Sequence, residues 1–224
     1  VIWFKEILMN KIFAYIGYFL LFINCLLCLK SFSKNGKAFR IFTYYSFTML
    51  VIQLSAFYLS KQNTHNLFLS HFYFIIQFVL LSLFYLNILI DKFQKRVILI
   101  NLFLCSVSLI IHYALDWSRF SRFNTFEIFI TSLPLIVYAT FHLYNLLNQK
   151  KEYYYTTIGI LIYLFGSTVV FLTANLLMTF HSDWSFKLIF SLNIYLYVVY
   201  QLLITYDLRD NLLSKKVSSW TIQN

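Results

Sequence analysis

The chain has few charged residues and few of the residues that interrupt helices. Of its 224 residues, 12% are charged, one is proline and four are glycine, whereas 60% are hydrophobic. A soluble domain carries about a quarter of its residues as charges, so too few polar groups are present here to cover an apolar core. A bilayer accepts an apolar exterior, and the composition therefore indicates an integral membrane protein.

Cysteine and acidic residues are also scarce. Cys25, Cys28 and Cys105 all lie inside apolar stretches, where we interpret them as buried free thiols rather than a disulfide framework. The net charge is +10, from 18 Lys and Arg against eight Asp and Glu. These basic residues lie between apolar stretches, where they set topology and contact anionic lipid, so the predicted partner is the lipid bilayer and not nucleic acid.

Seven apolar stretches each approach the roughly 20 residues that a spanning helix needs. They predict an all-α fold, a seven-transmembrane-helix bundle that forms a single domain over residues 1–224. The predicted spans are 12–29, 41–59, 67–90, 97–115, 126–147, 155–177 and 186–206. The connections are short, which favours antiparallel packing of neighbours. Translation could start at Val1 or at Met9, since Met9-Asn10-Lys11 resembles an alternative start.

Lys and Arg are distributed unequally between the two sets of connections, and this predicts the orientation. Twelve lie on one side: Lys30, Lys34, Lys37, Arg40, Lys92, Lys95, Arg96, Lys150, Lys151, Arg209, Lys215 and Lys216. Six lie on the other: Lys5, Lys11, Lys61, Arg119, Arg122 and Lys187. The positive-inside rule places the larger set in the cytoplasm, with the N-terminus outside and the C-terminus inside a multi-pass cell membrane.

Polar residues recur at helical spacing inside the spans, which places them on shared faces. Such residues are costly in lipid and usually face the bundle interior, where they either hydrogen bond between helices or line a cavity. The fifth span carries Glu127, Thr131, Tyr138 and Asn145 on one stripe, with His142 near it. The candidate ligand-binding residues are His71, Tyr73, Gln77, His112, Glu127, Asn193 and Gln201.

Four of the five histidines lie at or near the predicted outer ends of spans: His65, His71, His112 and His181. Glu127 is the best single candidate, because it lies in the first turn of a span and on the polar stripe. A carboxylate near imidazoles can bind a metal, a cationic ligand or a proton, or can simply lie among head groups and water. No H-x-x-x-H or H-E-x-x-H pair is present, so we predict no metal site and no cofactor.

Three stretches resemble a group of uncharacterised seven-helix bacterial membrane proteins. Asn66 to Gln77 matches the pattern N-x-x-x-x-H-x-Y-x-x-x-E/Q in the third helix, Glu127 begins the fifth, and Tyr163 to Gly166 matches Y-x-x-G in the sixth. Some members accompany two-component sensor genes. The resemblance implies a seven-helix fold in the bacterial cytoplasmic membrane and signal reception, and it supplies no catalytic residues.

Other seven-helix families fit less well. A retinal protein needs a lysine in the middle of helix seven, and the only lysine in that span, Lys187, is at its outer end. Ceramidase-like zinc hydrolases combine S-x-x-x-H with H-x-x-x-H and an Asp, and only Ser108 to His112 matches, in the first element. Lysoplasmalogenase-like proteins depend on Asp within the spans, and no predicted span has one in its middle.

Three functions follow from these patterns, and the first is favoured. It is a non-enzymatic, sensor-like bundle that binds a small or lipophilic ligand in its outer half and acts through a signalling partner protein. The alternative is a lipid-modifying or metal-dependent hydrolase that uses Glu127, His71 and His112 as acid, base or ligands. The second alternative, a small transporter or channel, is disfavoured by the few Gly and Pro. The sequence predicts no oligomeric state.

Overall fold

Within the described residues the protein consists of helices and contains no strand. The computed structural model describes the backbone of residues 2–148, 151–178 and 183–221, and the side chains of residues 9–33, 35–148, 151–174 and 191–210. The α-helices are α1 (Ile2–Ser31), α2 (Lys37–Lys61), α3 (Phe68–Ile88), α4 (Lys92–Leu115), α5 (Thr125–Asn145), α6 (Tyr154–Met178) and α7 (Asp183–Thr221). Short 3-10 helices, Phe32–Lys34 and Trp117–Ser121, follow α1 and α4. His181 lies outside the described residues.

Among the residues that the structure describes, six helices are long and apolar enough to cross a membrane, by length and composition. They are Met9–Ser31, Lys37–Lys61, Phe68–Ile88, Lys92–Leu115, Thr125–Asn145 and Tyr154–Ala174. This is compatible with a multi-pass membrane protein. The described side chains of α7 begin only at Ser191, so the seventh span and the orientation stay predictions.

The observed helices differ from the predicted spans mainly at their ends, because polar residues continue a helix that an apolar pattern cuts short. Helix α4 begins at Lys92, five residues before the predicted Val97, where the Asp91 side chain accepts from the backbone N–H of Gln94 at 2.9 Å. This is a typical N-cap. Helix α7 continues past the predicted end at Tyr206 to Thr221.

Six helices form a closed ring, in the order α1, α2, α3, α5, α6, α7 and back to α1. Helix α4 lies outside this ring, against α3 and α5. The ring does not follow chain order, because α4 is bypassed and α3 packs directly on α5. Consequently α3, α4 and α5 share one three-helix interface, and side chains from all three can meet there.

Polar clamps close the ring between its first and last helices. The Asn24 amide donates to the Gln201 side-chain oxygen at 2.9 Å and to the Gln201 carbonyl at 3.1 Å, and it accepts from the Thr205 hydroxyl at 2.8 Å. Asn24 and Gln201 are both buried. These bonds pair the Asn24 amide and the Gln201 side-chain oxygen away from water and tie α1 to α7.

A second clamp joins α6 to α7. The carboxylate of buried Asp207 accepts from the backbone N–H of Thr156 at 3.2 Å and from its hydroxyl at 2.5 Å. Thr156 lies in the first turn of α6, so Asp207 provides acceptors for a helix start that has no intrahelical partners. We call this end of the bundle the Asp207 end and the opposite end, where α3 and α5 begin, the Glu127 end.

Glycines allow α6 to lie close to α7. A Cβ on Gly159 would lie 3.2 Å from Leu203 Cβ and 3.2 Å from a ring carbon of Tyr200, whereas the three atoms nearest to a Cβ on Gly166 would be the methyl groups and Cγ of Leu196, the nearest at 2.7 Å. The Leu196 methyls can rotate away, but the Cβ of Leu203 moves only with its backbone. The two glycines therefore differ in how well they tolerate a side chain.

We expect Gly159→Ala to lower the melting temperature of the purified protein and Gly166→Ala to leave it unchanged or raise it. Overpacking costs about 1–3 kcal/mol, while replacing a helical glycine by alanine gains up to about 1 kcal/mol. At Gly159 the first effect should exceed the second. The measurement is thermal unfolding in detergent, and equal melting temperatures for the two variants would contradict this account of the α6–α7 contact.

Candidate functional site

A buried carboxylate joins α3, α4 and α5 at the Glu127 end. Glu127 Oε2 lies 2.5 Å from Nδ1 of His71 on α3 and 2.8 Å from the hydroxyl of Tyr113 on α4. The same hydroxyl lies 2.8 Å from His71 Nδ1. Glu127 is 0% exposed and His71 is 1% exposed, so these groups interact with each other and not with water.

The start of α5 positions Glu127. Asn124 is the N-cap, and its side-chain oxygen accepts from the backbone N–H of Glu127 at 3.3 Å. The cap orients the Asn124 amide so that its nitrogen donates to the Tyr113 hydroxyl, also at 3.3 Å. Asn124 thus both begins the helix and holds the phenol that contacts the carboxylate. We call His71, Tyr113, Asn124 and Glu127 the Glu127 cluster.

Two polar atoms of the Glu127 cluster take part in none of its hydrogen bonds. Tyr113 has one hydroxyl proton, and the geometry directs it to Glu127 Oε2, so His71 is assigned its own proton on Nδ1, facing the same oxygen. Glu127 Oε1 and His71 Nε2 have no hydrogen-bond partner among the described residues. Buried polar atoms nearly always have a partner, so this pair of atoms calls for an explanation.

His112 belongs to a neighbouring polar group that is more exposed. Its Nε2 lies 3.0 Å from the Asn124 amide nitrogen and its Nδ1 lies 2.9 Å from the guanidinium of Arg119. Arg119 in turn donates to Asp116 at 3.3 Å. The Ser118 hydroxyl, which donates to Asp116 at 2.7 Å, holds the pKa of that carboxyl below its ordinary value. Asp116 therefore remains an anion that holds Arg119 in this more exposed polar group.

Aromatic rings cover the Glu127 cluster. Phe120, from the 3-10 helix after α4, stacks on the His71 ring with centroids 4.9 Å apart and an angle of 25° between the planes. Trp117 stacks on Phe120 at 5.6 Å and is 74% exposed. Phe126 stacks on His112 at 4.6 Å. One short segment, Trp117–Ser121, thus separates the buried carboxylate from the exterior.

A second polar group lies inside the six-helix ring. The Gln77 amide donates to the Tyr45 hydroxyl at 3.2 Å, which lies 3.0 Å from the Tyr200 hydroxyl. The Tyr73 and Tyr163 hydroxyls are 3.2 Å apart, and the Tyr163 and Tyr200 rings stack with centroids 5.0 Å apart. The Tyr197 ring lies within 6.3 Å of both. Gln77 and these five tyrosines, from α2, α3, α6 and α7, form what we call the tyrosine cluster.

The structure divides the predicted site residues between these two groups. His71 and Glu127 are in direct contact, and His112 joins them through Asn124. Tyr73 and Gln77 instead belong to the tyrosine cluster. Tyr73 lies two residues after His71 and so points about 200° away from it, and Gln77, four residues after Tyr73, shares the face of Tyr73. Asn193 lies one turn before Tyr197, with its side-chain oxygen unpartnered. Gln201 lies one turn after Tyr197 and bonds Asn24.

Three residues of the Glu127 end were missed by sequence reasoning: Tyr113, Asn124 and Arg119. The Asn124-x-x-Glu127 spacing is a readable signal, since an N-cap residue and an acidic residue three positions on often begin a helix together. Tyr113 gives no such signal. It lies one residue after the predicted site residue His112 and so on a different face of α4, and only the packing of α4 on α3 and α5 reveals its role.

No group of three or more His, Cys, Asp or Glu that could hold a metal ion occurs among the described residues. Comparison with known protein families, curated proteins and solved structures finds no match. The candidate function therefore depends on the geometry of the Glu127 cluster itself.

We expect Tyr113→Phe to destabilise the protein, because it removes a hydrogen bond to a buried carboxylate oxygen. Hydrogen bonds to charged groups contribute about 1.5–3 kcal/mol, which thermal unfolding of the purified protein can detect. Tyr144→Phe is the matched control, since Tyr144 is 68% exposed and should unfold like the unaltered protein. Equal melting temperatures for the two variants would show that the Tyr113 hydroxyl has no such role.

Proposed function

We propose that this protein is a sensor-like, non-enzymatic protein of the bacterial cytoplasmic membrane, with seven spans, the N-terminus outside and the C-terminus inside. It binds a small or lipophilic ligand at the Glu127 end, in the outer half of the bundle, and acts through a partner protein. The six apolar helices support the membrane assignment, and the distribution of Lys and Arg supports the orientation.

The observation that carries this proposal is the unpartnered pair of atoms in the Glu127 cluster. Glu127 Oε1 and His71 Nε2 are both buried and both lack a partner among the described residues. Each such atom costs about 1–3 kcal/mol when it stays unpaired. A ligand that bonds either atom recovers that cost, so the cluster favours binding.

Helix α3 provides a route from the ligand to the rest of the bundle. It carries His71 on one face and Tyr73 and Gln77 on another, and these reach the Glu127 cluster and the tyrosine cluster respectively. A small shift of α3 would alter bonds in both. A ligand that prefers one position of α3 would therefore repack the tyrosine cluster, and a partner that contacts the ring would respond to the change.

The proposed orientation is tested with single cysteines in two connections. We expect Gln62→Cys, between α2 and α3, to react with a membrane-impermeant maleimide on intact cells, and Asn148→Cys, after α5, to react only once the membrane is opened. Both positions are exposed, and the native cysteines are buried. The reverse pattern would place the Glu127 end in the cytoplasm and overturn the proposed topology.

Ligand binding is tested by identifying what the protein retains from its own membrane. We expect mass spectrometry of the full chain, purified in native-lipid nanodiscs, to show a small molecule that is depleted about tenfold or more in Glu127→Gln. Glu152→Gln is the matched control, because Glu152 is an exposed carboxylate near the Asp207 end. If the unaltered protein, Glu127→Gln and Glu152→Gln all retain the same small molecules in the same amounts, the proposal is overturned.

One observation keeps a hydrolase as the second candidate. A histidine hydrogen bonded to a carboxylate is also a common acid–base pair. The same three proteins distinguish the two functions, because an enzyme would turn over membrane lipid at a rate that falls in Glu127→Gln and not in Glu152→Gln. Retention of an unaltered ligand without lipid turnover supports the sensor-like function.

A further inference from the structure

We infer that the Glu127 cluster binds the ammonium group of a lipophilic amine. This inference rests on the proposed function, since it names the chemical class of the ligand that the same site takes. It follows from the hydrogen-bonding character of the unpartnered atoms, from the charge of the cluster and from the aromatic rings that surround it.

The ligand contacts the unpartnered oxygen of Glu127. His71 Nδ1 faces Glu127 Oε2, so Nε2, on the other side of the ring, points away from the carboxylate. Glu127 Oε1 has lone pairs and no hydrogen, since a carboxylate only accepts. A ligand that satisfies this oxygen needs a hydrogen to donate. A primary ammonium group has three N–H donors and no lone pair, and it fits this requirement.

The charge of the cluster favours the same ligand. Glu127 is a fully buried carboxylate whose partners among the described residues are Tyr113 and His71. No described Lys or Arg forms an ion pair with it, and the guanidinium of Arg119 contacts Asp116 and His112 instead. Burying a carboxylate in an apolar bundle is costly. An ammonium group would bring a positive charge together with a donor for Oε1.

The surrounding rings favour an organic cation over an inorganic one. Phe120 stacks on His71, Tyr113 presents its ring to His71 at 81°, and Phe72 contacts Phe120 edge-on with centroids 5.8 Å apart. Aromatic faces attract ammonium groups and pack against the hydrocarbon attached to them.

The test measures binding of two amines and of their neutral counterparts to the purified full chain in nanodiscs. The probes are 2-phenylethylamine and n-octylamine, each compared with the alcohol of the same skeleton, and binding is followed by isothermal titration calorimetry. We expect each amine to bind about tenfold or more tightly than its alcohol. We also expect Glu127→Gln to abolish this preference, Glu152→Gln to keep it, and Phe120→Ala to weaken binding of both amines.

Other outcomes separate this inference from the proposed function. Alcohols that bind as tightly as amines, with both lost in Glu127→Gln, would overturn the ammonium assignment and leave a ligand site at Glu127. Amines that bind equally to Glu127→Gln and to the unaltered protein would overturn it too, as would no detectable binding of either amine. If Glu127→Gln fails to fold, the preference of the unaltered chain for amine over alcohol is compared with that of empty nanodiscs, and an equal preference would overturn the ammonium assignment.

Discussion

The arrangement at one end of the bundle depends on how an apolar interior accommodates a carboxylate. Glu127 has no access to water, so it must be held by hydrogen bonds from its neighbours. His71 and Tyr113 supply them, and because these residues belong to α3 and α4, the carboxylate draws three helices together. The peripheral position of α4 follows, since its polar contacts through Tyr113 reach α3 and α5. The same constraint leaves one oxygen and one ring nitrogen unpaired.

Sequence periodicity predicted the helices and the inward faces better than it predicted the contacts. On the predicted stripe of α5, Glu127, Thr131 and Tyr138 are buried, as is His142 near it, whereas Asn145 at the end of the helix is half-buried. The partner of Glu127 on α4 was not predictable, because spacing within one helix does not say which helix packs beside it. Tyr113 reaches Glu127 because α4 lies outside the ring, against α3 and α5. The residues around Tyr113 in the sequence give no sign of this packing. The burial of Tyr45 and Tyr200 depends equally on packing across the ring.

Helix α3 is the element that the two polar groups share. The sequence alone treated His71, Tyr73 and Gln77 as parts of one site, whereas the structure has them on different sides of a single helix. This separation has a physical benefit. Under the proposed function, opening of the Glu127 cluster to a ligand would not admit water to the centre of the bundle, because the body of α3 lies between the two groups. Communication between them would then depend on movement of a rigid helix rather than on a continuous cavity.

The closure of the ring has a consequence for how the chain assembles. The ring is completed only when α7 packs between α1 and α6, and α1 is synthesised more than 150 residues earlier. Until then the Asn24 amide has none of its partners on α7, Gln201 and Thr205, and it must meet lipid, water or another protein. A bundle without α7 would therefore expose the polar groups of α1 at its side. Helix α7 covers them, so the contact between α1 and α7 can form only after α7 has been made.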